Sequence, residues 1–219
     1  MSIQAIDNSI ALARAHEEQT GHLAKLIGGY LNDKPPLAIQ LPEQNPVTCL
    51  LDFIITYIEQ VPRFLEAARA ITEQAELSEH TDRFFEVAES FFIKPPEIMA
   101  KHIGLEQLMD EAYLAHRLLE EINDQFLSHA GIPLIPLDTT AANLIIHNLI
   151  GEPFANELDE AVDFTVQQTM PKRHVYKNPA FKAYIAKHQG NNWREELSCW
   201  PCLTETHAID LDLNFSFSR

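Results

Sequence analysis

Acidic and histidine side chains recur within the apolar stripes of segments that have helical periodicity. Glu17 lies in the stripe of the first such segment, and His22 follows it. His116 and Glu120 are one turn apart in the fourth segment, and His147 belongs to the fifth. If these three helices meet, the five side chains converge on one point inside a helical bundle.

Carboxylates and imidazoles on facing helices are the groups with which bundle proteins bind iron or manganese. The regular form of such a site needs Glu-x-x-His on two helices, and none of the ten histidines has a glutamate three residues before it. This argues against a ferritin-like di-iron centre and leaves a less regular site for iron, manganese or zinc. Such a site would make the chain a metal-dependent oxidoreductase or hydrolase. The alternative is that the histidines are hydrogen-bonded core residues and the glutamates are solvated.

The fifth helical segment places polar groups among apolar ones. Asn143 and His147 are four residues apart and share a helix face, while Leu144, Ile145 and Ile146 lie between them. A helix that is apolar on nearly every side is expected at the centre of a bundle. Buried polar groups there need hydrogen-bond partners. We therefore predict a polar core or ligand pocket built from Asn143, His147 and His116.

A second candidate metal site lies near the C-terminus. The spacing Cys199-x2-Cys202-x4-His207 supplies three zinc ligands, and Asp212 is available as the fourth. The same Cys-x-x-Cys pair also suits a redox motif, but no apolar helix follows it, as thioredoxin-type chemistry would require. Two ordinary reduced cysteines are the third possibility. Cys49, in the second helix, is expected to be a core residue.

The elements that must position these residues are mostly helices. The periodicity predicts a mainly α fold: a bundle of about six or seven helices in an acidic body, residues 1–170, followed by an extension, residues 171–219. The first helix is predicted as one continuous segment over residues 3–31, and Pro62 is expected to kink the second. Three start signals are Asn45-Pro46, Ser78 and Asp138, and Gly131 is a stop signal.

The extension contains a short basic helix and a strand. Asn178-Pro179 predicts the start of the helix, which reaches about His188. Residues 209–217 alternate strictly between apolar and polar, the pattern of a half-buried strand. A strand needs a partner for its backbone groups. Residues 37–41, a second subunit and the sheet edge of another protein are the candidates, and an extended tail in a groove of the bundle is the alternative.

The sign of the charge changes at the same boundary, near residue 170. Residues 1–170 carry 27 acidic and 9 basic side chains, whereas residues 171–190 carry five basic side chains and no acidic one. A body with a formal charge of −18 repels polyanions, so nucleic acid and anionic membranes are unlikely partners. The basic segment either lies across the acidic body or, through its interleaved aromatic residues, binds a single-stranded nucleic acid. The first interpretation is favoured by the charge of the body.

The composition of the chain and the motifs that it lacks narrow the classes of function that it could have. No apolar run approaches the length of a membrane span, no signal peptide is recognisable, and the three cysteines are an odd number, so we expect a cytoplasmic protein. No phosphate-binding glycine loop or nucleophile elbow is present. We therefore predict a binding or regulatory module that engages a protein partner, or itself, through its acidic surface, its C-terminal strand or both. The metal-dependent enzyme is the alternative.

Overall fold

The computed structural model describes residues 3–33, 39–94, 102–131, 133, 135, 138–169, 177–188 and 202–211. It confirms a mainly helical bundle. The elements are α1 (Ile3–Thr20), α2 (His22–Asp33), β1 (Ile39–Gln40), α3 (Pro46–Gln74), α4 (Ser78–Ile93), α5 (Gly104–Ala130), α6 (Thr140–Ile150), α7 (Phe154–Thr169), α8 (Pro179–His188), α9 (Leu203–Thr206) and β2 (Asp210–Leu211). Within these described ranges, no helix is both long and apolar enough to span a membrane.

The central element of the bundle is α5. It packs against α1, α3, α4, α6 and α7, and its side chains are buried almost without interruption from Leu108 to Leu119. The expectation that α6 would be central was wrong, because Leu144 on that helix is half exposed and α6 packs against only α5, α7 and the short α9 among the described helices. Tyr57 and Phe64 of α3 and Phe126 of α5 are among the fully enclosed aromatic side chains of the core.

The first helix is not continuous over residues 3–31. Gly21 separates α1 from α2 and has a φ of +58°, a conformation that is costly for residues with a Cβ. The Gly21 amide closes α1 by donating to the Glu17 carbonyl over 2.7 Å. The helix is therefore interrupted at Gly21, and α2 continues from His22 to Asp33.

Some of the other helix boundaries follow the predicted signals. Helix α3 begins at Pro46 as predicted, but the Asn45 side chain before it makes no capping hydrogen bond. Gly131, with a φ of +75°, ends α5. Asp138 Oδ1 accepts a hydrogen bond from the Thr140 amide at the start of α6 over 3.1 Å, but the cap position itself is Thr139, one residue later than predicted. Ser78 was wrong as a cap, since it is already the first residue of α4. Pro62 lies within α3, which continues through it to Gln74.

The described part of the C-terminal extension packs on the bundle. Phe181 and Tyr184 of α8 are buried, and the Phe181 ring meets Phe126 of α5 edge-on at 5.6 Å. Lys182 and Lys187 stay exposed, so the basic helix docks through its aromatic side chains. Strand β2 pairs antiparallel with β1, with Ile39 opposite Leu211 and Gln40 opposite Asp210. This is one of the expected partners; residues 212–219 lie outside the described residues.

Candidate functional site

The five predicted metal-binding side chains occupy separate places in the bundle. Glu17 is buried at the end of α1, where its two carboxylate oxygens accept hydrogen bonds from the Leu23 and Ala24 amides over 2.8 and 3.0 Å. Those amides are among the free N–H groups at the start of α2. Glu17 therefore acts as a cap that joins two helices, and its oxygens are taken up by the backbone.

His22 belongs to a different group of charges, near the start of α5. Its Nε2 lies 3.0 Å from Glu106, and Glu106 lies 3.7 Å from His102 Nε2. The other ring nitrogen of His102 contacts Asp110, which is fully buried. Burial raises the pKa of Asp110 to about 6, although its hydrogen bond with His102 opposes that rise. None of the other predicted ligands joins this group.

His116 lies fully buried between α5 and α3. Its Nε2 donates to the Tyr57 carbonyl over 2.9 Å, while its ring lies 4.0 Å from the Tyr57 ring and meets Phe64 edge-on at 5.3 Å. Nδ1 is buried and has no hydrogen-bond partner. Burial lowers the pKa of His116 to about 4, so the imidazole is neutral at neutral pH. The ring is thus a core side chain tied to a backbone carbonyl.

Three of the predicted residues do meet, in a pocket between α5, α6 and α7. Glu120, Asn143 and His147 line a cavity of about 310 Å³. Residues that the sequence analysis did not single out complete its walls: Tyr113, Arg117, Thr140, Leu144 and Asp159. We call this cavity the α5–α7 pocket.

Hydrogen bonds connect the lining of the α5–α7 pocket to the Tyr57 side chain of α3. The Tyr57 hydroxyl donates to Asn143 Oδ1 over 2.7 Å, and Asn143 Nδ2 donates to Glu120 Oε2 over 2.8 Å. Thr140 adds a hydrogen bond to the other Glu120 oxygen over 2.9 Å. Tyr57 therefore contacts both Asn143, through its hydroxyl, and His116, through its ring and its carbonyl.

His147 was expected to be buried, and this was wrong: a quarter of its side chain is exposed. Its Nε2 lies 3.2 Å from Asn156 Oδ1 and 3.4 Å from Asp159 Oδ2. Asp159 also accepts a hydrogen bond from the Tyr113 hydroxyl over 2.8 Å. Burial and the Asp159 carboxylate raise the pKa of Tyr113, so the hydroxyl remains a donor. His147 is partly exposed because it lies on α6, one side of which faces solvent at Leu144.

Among the described residues, Arg117 is the one arginine that lines the pocket, and three carboxylates share it. Its guanidinium contacts Glu120, lies 3.2 Å from Glu121 and lies 3.2 Å from Asp159. Burial opposes its charge, but the carboxylates outweigh burial and hold the pKa of Arg117 above its ordinary value. Glu120 and Asp159 line the pocket, whereas Glu121 lies outside it, and the group around Arg117 has an excess of formal negative charge.

That excess continues outward from the pocket. Burial raises the pKa of Glu121, and repulsion from Asp163 and Asp124 raises it further. Arg117 acts in the opposite direction and lowers it. Glu160 and Asp163 of α7 are exposed, and so is Phe164 on the same helix, whose side chain is 64% exposed. We call this surface the acidic face; its residues are Glu120, Glu121, Asp124, Asp159, Glu160 and Asp163.

The spacing of Arg117, Glu120 and Glu121 was a usable signal, because residues three and four apart on a helix pair readily. Asp159 and Tyr113 carry no such signal, since they are 46 residues apart in the sequence. None of these pairs was predicted, because the acidic and histidine residues of these helices were interpreted as metal ligands or as core residues.

The predicted zinc site is only partly within the described residues. Cys202 Sγ lies 3.0 Å from Thr204 Oγ1, and His207 Nε2 lies 3.1 Å from Thr56 Oγ1. Cys199 and Asp212 lie outside the described residues, so the zinc site stays a prediction. Elsewhere in the described part of the chain, no group of three or more His, Cys, Asp or Glu residues has an arrangement that could hold a metal ion.

Comparison of the chain with protein-family models, with curated proteins and with solved structures finds no match in any of the three. The case for a function therefore rests on the charge and the contacts of α5, α6 and α7.

Proposed function

We propose that this protein is a binding module that takes a basic segment of a protein partner on the acidic face. The observation that carries this proposal is the set of three carboxylates around the single guanidinium of Arg117, at the wall of an open pocket. One arginine cannot neutralise three carboxylates, so the pocket retains negative charge. A positive side chain from a partner is the group that would balance it.

The α5–α7 pocket provides an anchoring position for one such side chain. The Asp159 and Glu120 carboxylates both line this pocket beside Arg117, and both are only partly exposed. A charged hydrogen bond in such a place is stronger than one on an open surface. A planar guanidinium suits paired carboxylate acceptors better than a point charge does. We therefore expect an arginine of the partner to enter the pocket.

The rest of the acidic face would hold neighbouring residues of the same segment. Exposed ion pairs contribute only about 0.2–1 kcal/mol each, so several basic residues are needed. Phe164 adds an apolar contact, because it projects from the same surface as Glu160, four residues before it. Together these features favour a segment in which basic and apolar residues alternate.

The C-terminal strand is the weaker candidate for partner binding. The described part of that strand, β2, already pairs with β1 within the same chain. Self-association remains compatible with the charge argument, since Lys182 and Lys187 of α8 are exposed. Sedimentation velocity at low and high salt distinguishes a dimer of this chain from a complex with another protein.

The test is a titration of the protein with a short amidated peptide of alternating arginine and leucine, followed by calorimetry. The double variant Glu160→Gln/Asp163→Asn removes two exposed charges of the acidic face, and we expect it to bind the peptide about two- to thirtyfold more weakly. The matched control Glu18→Gln/Glu66→Gln removes two exposed charges from α1 and α3. Its affinity should stay close to that of the wild type.

Equal losses in both double variants would show that the peptide responds only to net charge, and would contradict the proposal. Phe164→Ser, which keeps every charge, should weaken binding of the alternating peptide but not of a peptide of arginine and glycine. We advance no second function, because no contact among the described residues favours one.

A further inference from the structure

A second cleft, away from the acidic face, lies between α1, α4 and the start of α5. It encloses about 450 Å³. Leu12, Phe92 and Ile103 supply apolar walls, while His16, Gln107 and Glu111 supply polar groups. Leu12 is 74% exposed and Ile103 is 49% exposed, so the cleft has an apolar rim open to solvent. We call it the α1–α5 cleft.

Glu111 is the buried polar group of this cleft. Its side chain is fully buried, and Oε1 accepts a hydrogen bond from Gln107 Nε2 over 2.7 Å. Oε2 is buried and has no partner. Burial raises the pKa of Glu111 to about 7, with a further contribution from Asp110 and against the hydrogen bond from Gln107. An unpartnered buried acceptor costs about 1–3 kcal/mol, so it favours any ligand that donates to it.

His16 supplies a second unpartnered atom in the same cleft. Its Nε2 is buried without a hydrogen-bond partner. The ring lies so close to α5 that a Cβ on Gly104 would be 2.9 Å from His16 Cδ2. Gly104 also has a φ of +60°, so a glycine is required there for two reasons. The backbone therefore leaves room for the imidazole at the wall of the cleft.

We propose that the α1–α5 cleft binds a protonated amine with an apolar body, whose N–H groups donate to Glu111 Oε2 and His16 Nε2. The tautomer of His16 with its proton on Nδ1 presents Nε2 as an acceptor. Two unpaired acceptors match an ammonium group, which has several N–H donors. An anionic head would face the carboxylate, and a purely apolar ligand would leave both acceptors unpaired. The apolar body would lie against Leu12, Phe92 and Ile103.

This inference does not depend on the proposed partner binding. The α1–α5 cleft and the α5–α7 pocket share no lining residue, and they lie on different sides of α5. Binding of a small amine in the α1–α5 cleft and binding of a basic segment on the acidic face are independent, so a failure of one does not imply a failure of the other.

The test is calorimetric titration of the full chain with octylamine, compared with octanol, which has the same body without the positive charge. We expect saturable binding of octylamine and at least about tenfold weaker binding of octanol. Glu111→Gln keeps the shape of the side chain and should weaken octylamine binding by about tenfold or more while leaving octanol unchanged. The matched control Glu18→Gln removes an exposed charge outside the cleft and should leave both titrations unchanged.

A second variant keeps the test informative if Glu111→Gln alters the fold. Leu12→Asn changes an exposed rim residue and should weaken octylamine and octanol alike. Amide shifts in an NMR titration should be largest around His16 and Gln107. The proposal is overturned if octylamine does not bind the wild type, if octanol binds as tightly, or if Glu111→Gln and Glu18→Gln bind octylamine equally.

Discussion

At the scale of single residues, His116 shows how burial sets protonation. In the folded chain its pKa is about 4, below the ordinary value of 6.5, because the ring has no access to water. The unfolded chain therefore takes up a proton as the pH falls through 6.5, whereas the folded chain does not until about pH 4. The contribution of His116 to stability is present above pH 6.5 and is lost as the pH falls towards 4.

A variant that cannot titrate isolates this effect. His116→Gln keeps an N–H group that can donate to the Tyr57 carbonyl, so the main hydrogen bond can be retained. Between neutral pH and pH 4, the free energy of unfolding of the wild type should fall by about 3 kcal/mol relative to this variant, since one pKa unit corresponds to about 1.4 kcal/mol. Urea unfolding at a series of pH values measures the difference. Parallel pH profiles for the two proteins would show that His116 is not held neutral.

The residues of the α5–α7 pocket were predictable only where the sequence brings them close. Asn143 and His147 share a pocket because they are one helical turn apart, as expected. The hydrogen bond from Tyr57 to Asn143 joins residues 86 apart in the sequence, and no local pattern indicates it. His147 was misjudged because its apolar neighbours in sequence do not all face the core: Leu144 is half exposed.

At the scale of elements, the junction of α1 and α2 is the clearest difference from the sequence analysis. The apolar stripe continues through residues 3–31, so periodicity alone predicts one helix. Gly21 permits the break between the two helices. The break leaves amides at the start of α2 without helical partners, and the Glu17 carboxylate accepts hydrogen bonds from two of them. A glutamate inside an apolar stripe was the available signal, but it was interpreted as a metal ligand.

Removing this cap should destabilise the protein. Glu17→Ala leaves the Leu23 and Ala24 amides without their acceptors, and we expect a loss of about 1–2 kcal/mol in the free energy of unfolding. The matched control is Glu18→Ala, because Glu18 is exposed on the same turn of α1 and should change stability by less than about 0.5 kcal/mol.

Urea unfolding of both variants beside the wild type measures these differences. If Glu17→Ala costs no more than Glu18→Ala, the two hydrogen bonds at the helix junction contribute nothing to stability. If the wild type contained bound iron, manganese or zinc and the Glu17→Ala variant did not, Glu17 would instead be a metal ligand.

At the scale of the whole molecule, charge asymmetry was visible in the sequence but its location was not. The formal charge of −18 on residues 1–170 follows from counting. That several of these charges form one acidic face depends on the packing of α5 against α7, whose acidic residues are about 40 positions apart. A strong negative field also speeds the approach of a basic partner and weakens with salt.

Which helix lies at the centre of the bundle also depends on the packing of the whole molecule. Composition predicted α6, which is short and apolar, whereas α5 is the helix that five others surround. Its length of 27 residues lets it contact α1, α3, α4, α6 and α7, and its acidic residues find partners on several sides. Both candidate binding regions lie against α5 for this reason.

The most direct measurement of the central claim is an NMR titration of the isotope-labelled protein with the arginine–leucine peptide. Amide shifts should concentrate on residues 117–124 of α5 and 159–164 of α7, with shifts at Asn143 and His147 as an arginine enters the pocket. They should shrink as salt is added. Shifts confined to the surface of α1 and α3, or spread evenly over all exposed acidic residues, would contradict a specific acidic face.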